Sequence, residues 1–323
     1  MTTFLLRICA SFILVTLIAC KKNSKELTED LPIHNKRVLI LGNSITQNGR
    51  YVDFLEYYLR KQYPSENLDI ISIGLSSETV SGDSEANHPF PRPWLHNRLK
   101  RALELIQPEV VLALYGMNDG IYSQKDQVRF NNYKRGIREL MDETKAIGAE
   151  LILLTPTPFD PDPAKDRLVG ENVFQSYKTP YYNYSQVLSD YSDWLDSLQH
   201  IKVINLNQFL TDKLKRVKTM KQDSTFVPDA VHPNAIGHYY MSQKILKDLY
   251  PSVKMSDDVV SELQLLSEDS LFLVSSKRRH IRSQGWLEYI GYTKESTVRS
   301  DDINTTKDAV NQLDLELQRL QNK

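Results

Sequence analysis

The sequence predicts a three-layer α/β/α sandwich: a five-stranded, parallel, doubly wound sheet between two layers of helices, with a helical extension at its C-terminal end. Two observations carry this. Val38 to Leu41 is a short continuous run of apolar β-formers, as a strand buried on both faces requires, and 68–73, 109–115, 151–155 and 202–206 read as four further strands. Between them lie apolar residues at helical spacing, so the chain reads as successive βαβ units. Right-handed crossovers then give, most simply, the flavodoxin-like strand order 2-1-3-4-5.

The first strand stops at Gly42, and Tyr51, Phe54, Leu55, Tyr58 and Leu59 mark a helix after Gly49. Ser44 therefore stands on a strand-to-helix turn at the carboxyl edge of the sheet, where ligands bind. A serine there can also do no more than cap a helix. The turn is not a dinucleotide fingerprint, which needs a glycine at position 44, nor a phosphate loop, which needs Gly-Lys-Ser/Thr. It is half of a Gly-x-Ser-x-Gly elbow, with Thr46 in place of the second glycine.

The second strand ends at Gly74, where a missing side chain lets backbone approach a ligand. Pro89, Pro91 and Pro93 make 88–94 extended, and Leu95, Leu99, Ala102, Leu103 and Ile106 mark a helix that ends before Pro108. The third strand runs into Gly116-Met117-Asn118-Asp119-Gly120, and Phe130 to Thr144 carries the next helical stripe, closed by Gly148. After the fourth strand, 156–180 is rich in proline and aspartate. It far exceeds the roughly two to six residues of an ordinary connection and reads as a lid or substrate loop. Tyr184, Val187, Leu188, Tyr191, Leu195 and Leu198 give a helix before strand five. A loop at 217–233 then carries Asp229-Ala230-Val231-His232-Pro233, and 235–249 is the closing helix. Beyond Pro251 charged residues dominate, and Val310, Leu313, Leu317 and Leu320 form a helical stripe expected to pack on the sheet domain.

Forty basic against forty-one acidic residues leave a formal charge of -1, so nothing in the balance calls for nucleic acid. The start is more telling: Arg7, an apolar stretch over 8–18, then Leu17-Ile18-Ala19-Cys20 before Lys21 and Lys22. That stretch is shorter than the roughly 20 residues of a membrane span and ends in small residues, as an export signal does. Leu17 to Cys20 resembles the lipobox of bacterial lipoproteins, which implies removal of 1–19, lipid on Cys20 and a tether over 20–36. The second cysteine, Cys9, lies in the discarded segment, so the mature chain has one thiol and no internal disulfide. A plain signal or short anchor is the alternative.

Ser44, Gly74, Asn118 and His232 all fall just past predicted strands or on the last loop, so one sheet edge gathers them. Asp229 precedes His232 by three residues and can receive its Nδ1 hydrogen, leaving Nε2 to take the Ser44 proton. A serine hydroxyl needs such a base to act as a nucleophile. The amides of Ser44 and Gly74 and the side chain of Asn118 can donate to an oxyanion. Asp119 is expected to serve its turn, His238 to be structural, and Asp160 and Asp162 to be loop residues rather than a calcium site. Tyr181, Tyr182, Tyr184 and Trp94 are expected to face the core.

Gly42-Asn43-Ser44-Ile45-Thr46, Gly74, Gly116-Met117-Asn118-Asp119 and Asp229-Ala230-Val231-His232 resemble, in order, the four blocks of the SGNH (GDSL-type) hydrolases, over about residues 37–250. Segments 77–82, 88–93 and 115–122, and Trp286 to Gly291, resemble an exported bacterial subgroup of that family. Asn43 stands where the family has aspartate, at a position outside the triad. The resemblance implies a serine esterase that needs no metal or cofactor. Ser44 would be its nucleophile, His232 the base, Asp229 the orienting acid, and Ser44, Gly74 and Asn118 the oxyanion donors. With export, it leads to the expectation of a lipid-anchored envelope enzyme that removes short acyl groups, O-acetyl foremost, from carbohydrate. A lysophospholipase or thioesterase of the same fold, and a decayed glycan-binding lipoprotein, are the rival readings.

Overall fold

The computed structural model describes residues 31–299 and 302–322. The expected signal, Cys20 and most of the expected tether lie outside the described residues. The described residues form one compact unit.

Strand β1 (Arg37–Gly42) leads into a short helix α1 (Ser44–Asn48), and α2 (Arg50–Gln62) follows at once. Gly49 joins them at φ 68°, a left-handed conformation that glycine adopts without steric cost. The expected turn at Ser44 is thus the first residue of a helix, capped by the Asn43 side chain, which accepts from the Ile45 amide. Next come β2 (Asp69–Ser72), α3 (Leu99–Ile106), β3 (Val110–Leu114), α4 (Gln127–Ala146), β4 (Glu150–Leu154), α5 (Tyr184–Asp196) and β5 (Lys202–Ile204). After β5 stand α6 (Leu206–Met220), α7 (Ala235–Leu249), α8 (Val259–Leu266), α9 (Ser270–Ile290), a hairpin of β6 (Tyr292–Lys294) and β7 (Ser296–Val298), and α10 (Asn304–Gln321).

Strands β1 to β5 pair in parallel in the expected order, β2-β1-β3-β4-β5. Register aligns Val38 with Val110 and Ile152 with Lys202, so the strand ends line up at one edge. Alternation along β1 separates the two cores: Val38 and Ile40 pack with α2, α6 and α7, whereas Leu39 and Leu41 pack with α3, α4 and α5. Burial on both faces is why Val38 to Leu41 reads as a continuous apolar run.

Three features depart from the sequence reading. The loop placed at 217–233 begins later, because α6 continues to Met220; Leu206, Leu210 and Leu214 bury one stripe of it. Tyr182 and Trp94 are not in the core: Tyr182 is half exposed, and Trp94 lies over Gly82 with its indole donating to the Val80 carbonyl. The C-terminal segment includes a β-hairpin beside its helices.

That segment does more than pack. Phe272 joins the core on one face, while Leu287 and Ile290 join the other, so α9 passes over the edge strand β2. Arg282 donates to the Ile70 carbonyl (3.2 Å) and pairs with Asp69, covering a strand edge that would otherwise stand open to another chain. One turn earlier, Arg279 pairs with buried Asp53 (2.5 Å) and donates to the Asn48 carbonyl at the end of α1 (3.2 Å). Helix α10 lies on α9, burying Leu313 and Leu317. Among the described residues, no helix is long and apolar enough to cross a membrane.

Candidate active site

The carboxyl ends of β1, β2 and β3 and the loop before α7 meet at one rim. Ser44 Oγ lies 2.8 Å from His232 Nε2, and His232 Nδ1 lies 2.7 Å from Asp229 Oδ2. The carboxylate beside Nδ1 fixes the tautomer: Nδ1–H donates to Asp229, and Nε2 is left to accept from the serine hydroxyl.

Local chemistry holds His232 in place. Asp229 Oδ1 accepts from the backbone amides of Val231 (3.0 Å) and His232 (2.7 Å), a tight turn closed by one side chain. Burial alone would raise the Asp229 pKa, but the ring and backbone bonds from His232 and the Val231 amide outweigh it and hold the group well below the carboxylate range. Between them, Ala230 stands at φ 81° with its methyl buried, a left-handed residue that costs about 1 kcal/mol and needs outside support. The 156–182 segment supplies it. Asp160 N–H donates to the Ala230 carbonyl (3.0 Å), and the Arg167 guanidinium donates to the carbonyls of Asp229 (2.9 Å) and Tyr177 (2.8 Å). Asp160 is itself gripped by Lys218 (2.5 Å) and Thr225 (2.6 Å). The expected lid is therefore tied at its base to the histidine loop. Asp162 shares the same lysine, so the two aspartates meet a cation supplied by the protein.

Gly74 follows β2 and lies against α1. A Cβ there would come within 2.2 Å of the Gln47 amide nitrogen, so glycine alone allows the β2 end to approach the helix that carries Ser44. Asn118 is buried after β3, where Leu114 is in register with Gly42. Its Nδ2 donates to the Glu78 carbonyl (3.1 Å), and its Oδ1 accepts from the Tyr122 hydroxyl (3.0 Å). Asp119 accepts three backbone amides, from Val80 (2.8 Å), Ser81 (2.9 Å) and Gly116 (2.8 Å), and so stitches the loop after β2 to the turn after β3. Burial pushes its pKa up to about 6 against the pull of those bonds. Below lies a buried pair: Arg98 grips Glu78 through Nε and Nη2 (both 2.6 Å), and Tyr115 donates to the same carboxylate (2.6 Å).

His238, six residues past His232, is buried and stacked on Tyr51, with its pKa pushed down to about 3 by burial, helped by Arg50 and Arg279. It is a core histidine. Among the described residues, no group of three or more His, Cys, Asp or Glu could hold a metal ion. Sequence reasoning missed Tyr122, Arg92, Arg167 and the Glu78–Arg98 pair. Charged residues inside an apolar, proline-marked stretch were the signal available for Glu78, Arg92 and Arg98.

A serine, a histidine and a carboxylate in hydrogen-bonded sequence at the carboxyl rim of a parallel α/β sandwich form an arrangement suited to serine-dependent acyl transfer. More narrowly, the GDSL-like lipase/acylhydrolase family model matches residues 40–240, and the chain belongs to that family. Among solved structures it is similar to a gut microbial diltiazem-metabolizing enzyme, at 16% identity and a TM-score of 0.48, covering 66% of this chain and 46% of that one. It is similar also to Axe2, an acetylxylan esterase from Geobacillus stearothermophilus, at 21% identity and a TM-score of 0.46 over 67% of this chain and 94% of that one. A third is the acetyl xylan esterase AlAXEase, at 19% identity and a TM-score of 0.47 over 66% and 99% of the two chains. The chain thus spans about half the length of the first of these and nearly all of the other two. No curated protein matches the sequence.

Proposed function

We propose that this protein is an exported, lipid-anchored serine esterase that removes short acyl groups, acetyl foremost, from carbohydrate hydroxyls. The observation that carries the reading is the unbroken row from Ser44 Oγ through the His232 ring to Asp229. In it, Ser44 Oγ attacks the ester carbonyl carbon while His232 Nε2 takes the hydroxyl proton. Asp229 orients the ring and stabilises the imidazolium. The carbonyl oxygen, now anionic, receives hydrogen bonds from the Ser44 and Gly74 amides and the second Nδ2 hydrogen of Asn118. Collapse expels the sugar alkoxide, which takes its proton from His232. Water then cleaves the acyl-serine by the same route.

Two features favour a short acyl group on a bulky alcohol. The rim is open, with the His232 and Asp229 side chains 48% and 55% exposed, so an ester carried on a large glycan can reach it. On and beside α1, Gln47, Asn48 and Arg50 are exposed and Ser44, Ser76 and Ser77 half-exposed, with Gln47 bonded to the Ser76 amide (2.7 Å). Such a polar rim suits a hydroxylated leaving group better than a long acyl chain. Export and anchoring rest on the Leu17-Ile18-Ala19-Cys20 motif.

Purified residues 21–323 should hydrolyse p-nitrophenyl acetate faster than the octanoate and release acetate from at least one acetylated glycan. A clear preference for octanoate points to a lysophospholipase or thioesterase, and hydrolysis undiminished by Ser44→Ala removes the nucleophile assignment. For the anchor, Cys20→Ser should move the full chain from membranes to the soluble fraction; unchanged membrane retention refutes the lipid.

A further inference from the structure

We infer that Tyr122 is a positioning residue: its hydroxyl holds the Asn118 side chain with an amide hydrogen presented to the oxyanion, and Glu85 and Arg92 hold Tyr122. The inference rests on the serine-esterase reading above.

A primary amide turned end for end fills the same volume, so its direction is set by hydrogen-bond partners alone. For Asn118 the nitrogen end meets one acceptor, the Glu78 carbonyl, at 3.1 Å. The oxygen end meets one donor, the Tyr122 hydroxyl, at 3.0 Å. With both in place, a reversed amide would set two acceptors face to face at Glu78. Without the phenol, the favoured orientation loses its hydrogen bond at the oxygen end, and reversal becomes cheaper by that amount.

The tyrosine is held firmly. Ile121 and Tyr122 take φ 43° and 56°, left-handed values that L residues seldom adopt, so the turn that aims the ring is itself constrained. The ring stacks on Tyr184, 5.1 Å between centroids, and the Arg92 guanidinium lies 5.6 Å from its centroid. Arg92 is gripped by the buried Glu85 carboxylate through Nε (2.6 Å) and Nη2 (2.7 Å). Burial lifts the Tyr122 pKa to about 12, so the hydroxyl keeps its proton and donates. The 156–182 segment touches this chain of contacts twice: Tyr181 N–H donates to the Tyr122 carbonyl (2.8 Å), and Tyr177 N–H approaches Glu85 (3.4 Å).

The test is a double-mutant cycle on the acetyl ester. Tyr122→Phe, which deletes one oxygen, should lower kcat about ten-fold, the scale of one oriented hydrogen bond, with KM changed less than about two-fold. In an Asn118→Ala background the same substitution should change kcat less than about two-fold, because the amide it aims is gone. An equal loss in both backgrounds, or an unchanged kcat in the parent, overturns the inference. Should Tyr122→Phe fail to fold, the paired substitution Glu85→Gln with Arg92→Met takes its place in the same cycle: a loss confined to the Asn118 parent supports the inference, and an equal loss or none overturns it. Ser44→Ala is the separating control: if it keeps hydrolysis, the esterase reading itself fails, whereas full loss there with no Tyr122 effect defeats the positioning role alone.

Discussion

The two halves of the site are built on opposite plans. The proposed proton-handling half, Ser44, His232 and Asp229, is the more open to solvent; Asp229 closes its own turn onto His232, and Asp160 and Arg167 brace that turn from the 156–182 segment. The proposed charge-stabilising half, around Asn118, is buried and held by residues brought from afar: Asp119 binds the Val80 and Ser81 amides, and Arg98 and Tyr115 converge on Glu78. A hydroxyl and an imidazole must be reached by a bulky ester and by water, so exposure suits them. Donors to an anion act most strongly where water is excluded and where they need not reorganise. The difference implies that losses in the first half should fall on rate, and losses in the second on rate and stability together.

The sharpest way to break that division is at its first member. Ser44→Ala should cut kcat for an acetyl ester by about 10⁴- to 10⁶-fold while the melting temperature moves by no more than about 2 °C; a large drop in melting temperature would give the open half a structural role. In the buried half, Arg98→Leu strands the Glu78 carboxylate and should cost about 3–5 kcal/mol of stability, read by urea unfolding. A cost under about 1 kcal/mol would mean that the pair holds nothing up. Asn118→Ala should lower kcat by about 10²- to 10³-fold, the scale of one oxyanion donor, and also lower the melting temperature, since it frees the Glu78 carbonyl and the Tyr122 hydroxyl.

The smallest effect concerns the buried histidine. His238 is held neutral in the fold, with a pKa of about 3, whereas the unfolded chain takes up the proton near 6.5. The unfolded state then binds more protons over that window, so this contribution to stability is full above about pH 6.5 and lost as pH falls toward 3. It amounts to about 1.4 kcal/mol by pH 5.5. His238→Gln removes it, so the variant should gain on the parent between pH 7.5 and 5.5 in thermal melts. A constant difference would show that the buried imidazole does not titrate in this way.

Much of the rim was legible because strand ends advertise themselves: an apolar run that stops at glycine located Ser44, Gly74 and Asn118, and a short aspartate-to-histidine spacing located the relay. Tyr122 and Arg167 were not legible, since their partners lie on other elements, and sequence spacing says nothing of what a turn at positive φ will face. Helix α6 hid because its first leucine, Leu206, was read as the end of strand five. Helix α9 hid for a better reason. It buries Arg278 and Arg279 against carboxylates along its middle, and its buried apolar residues, Phe272, Leu287 and Ile290, stand at its two ends rather than in a continuous stripe.

Arg279 also imposes an order in time. Ribosomes release Ser44 first, Asn118 next and His232 later still, but the guanidinium that closes on Asn48 and Asp53 comes behind them all. A nascent chain can hold every reactive group and still lack the clasp on the helix that presents its serine.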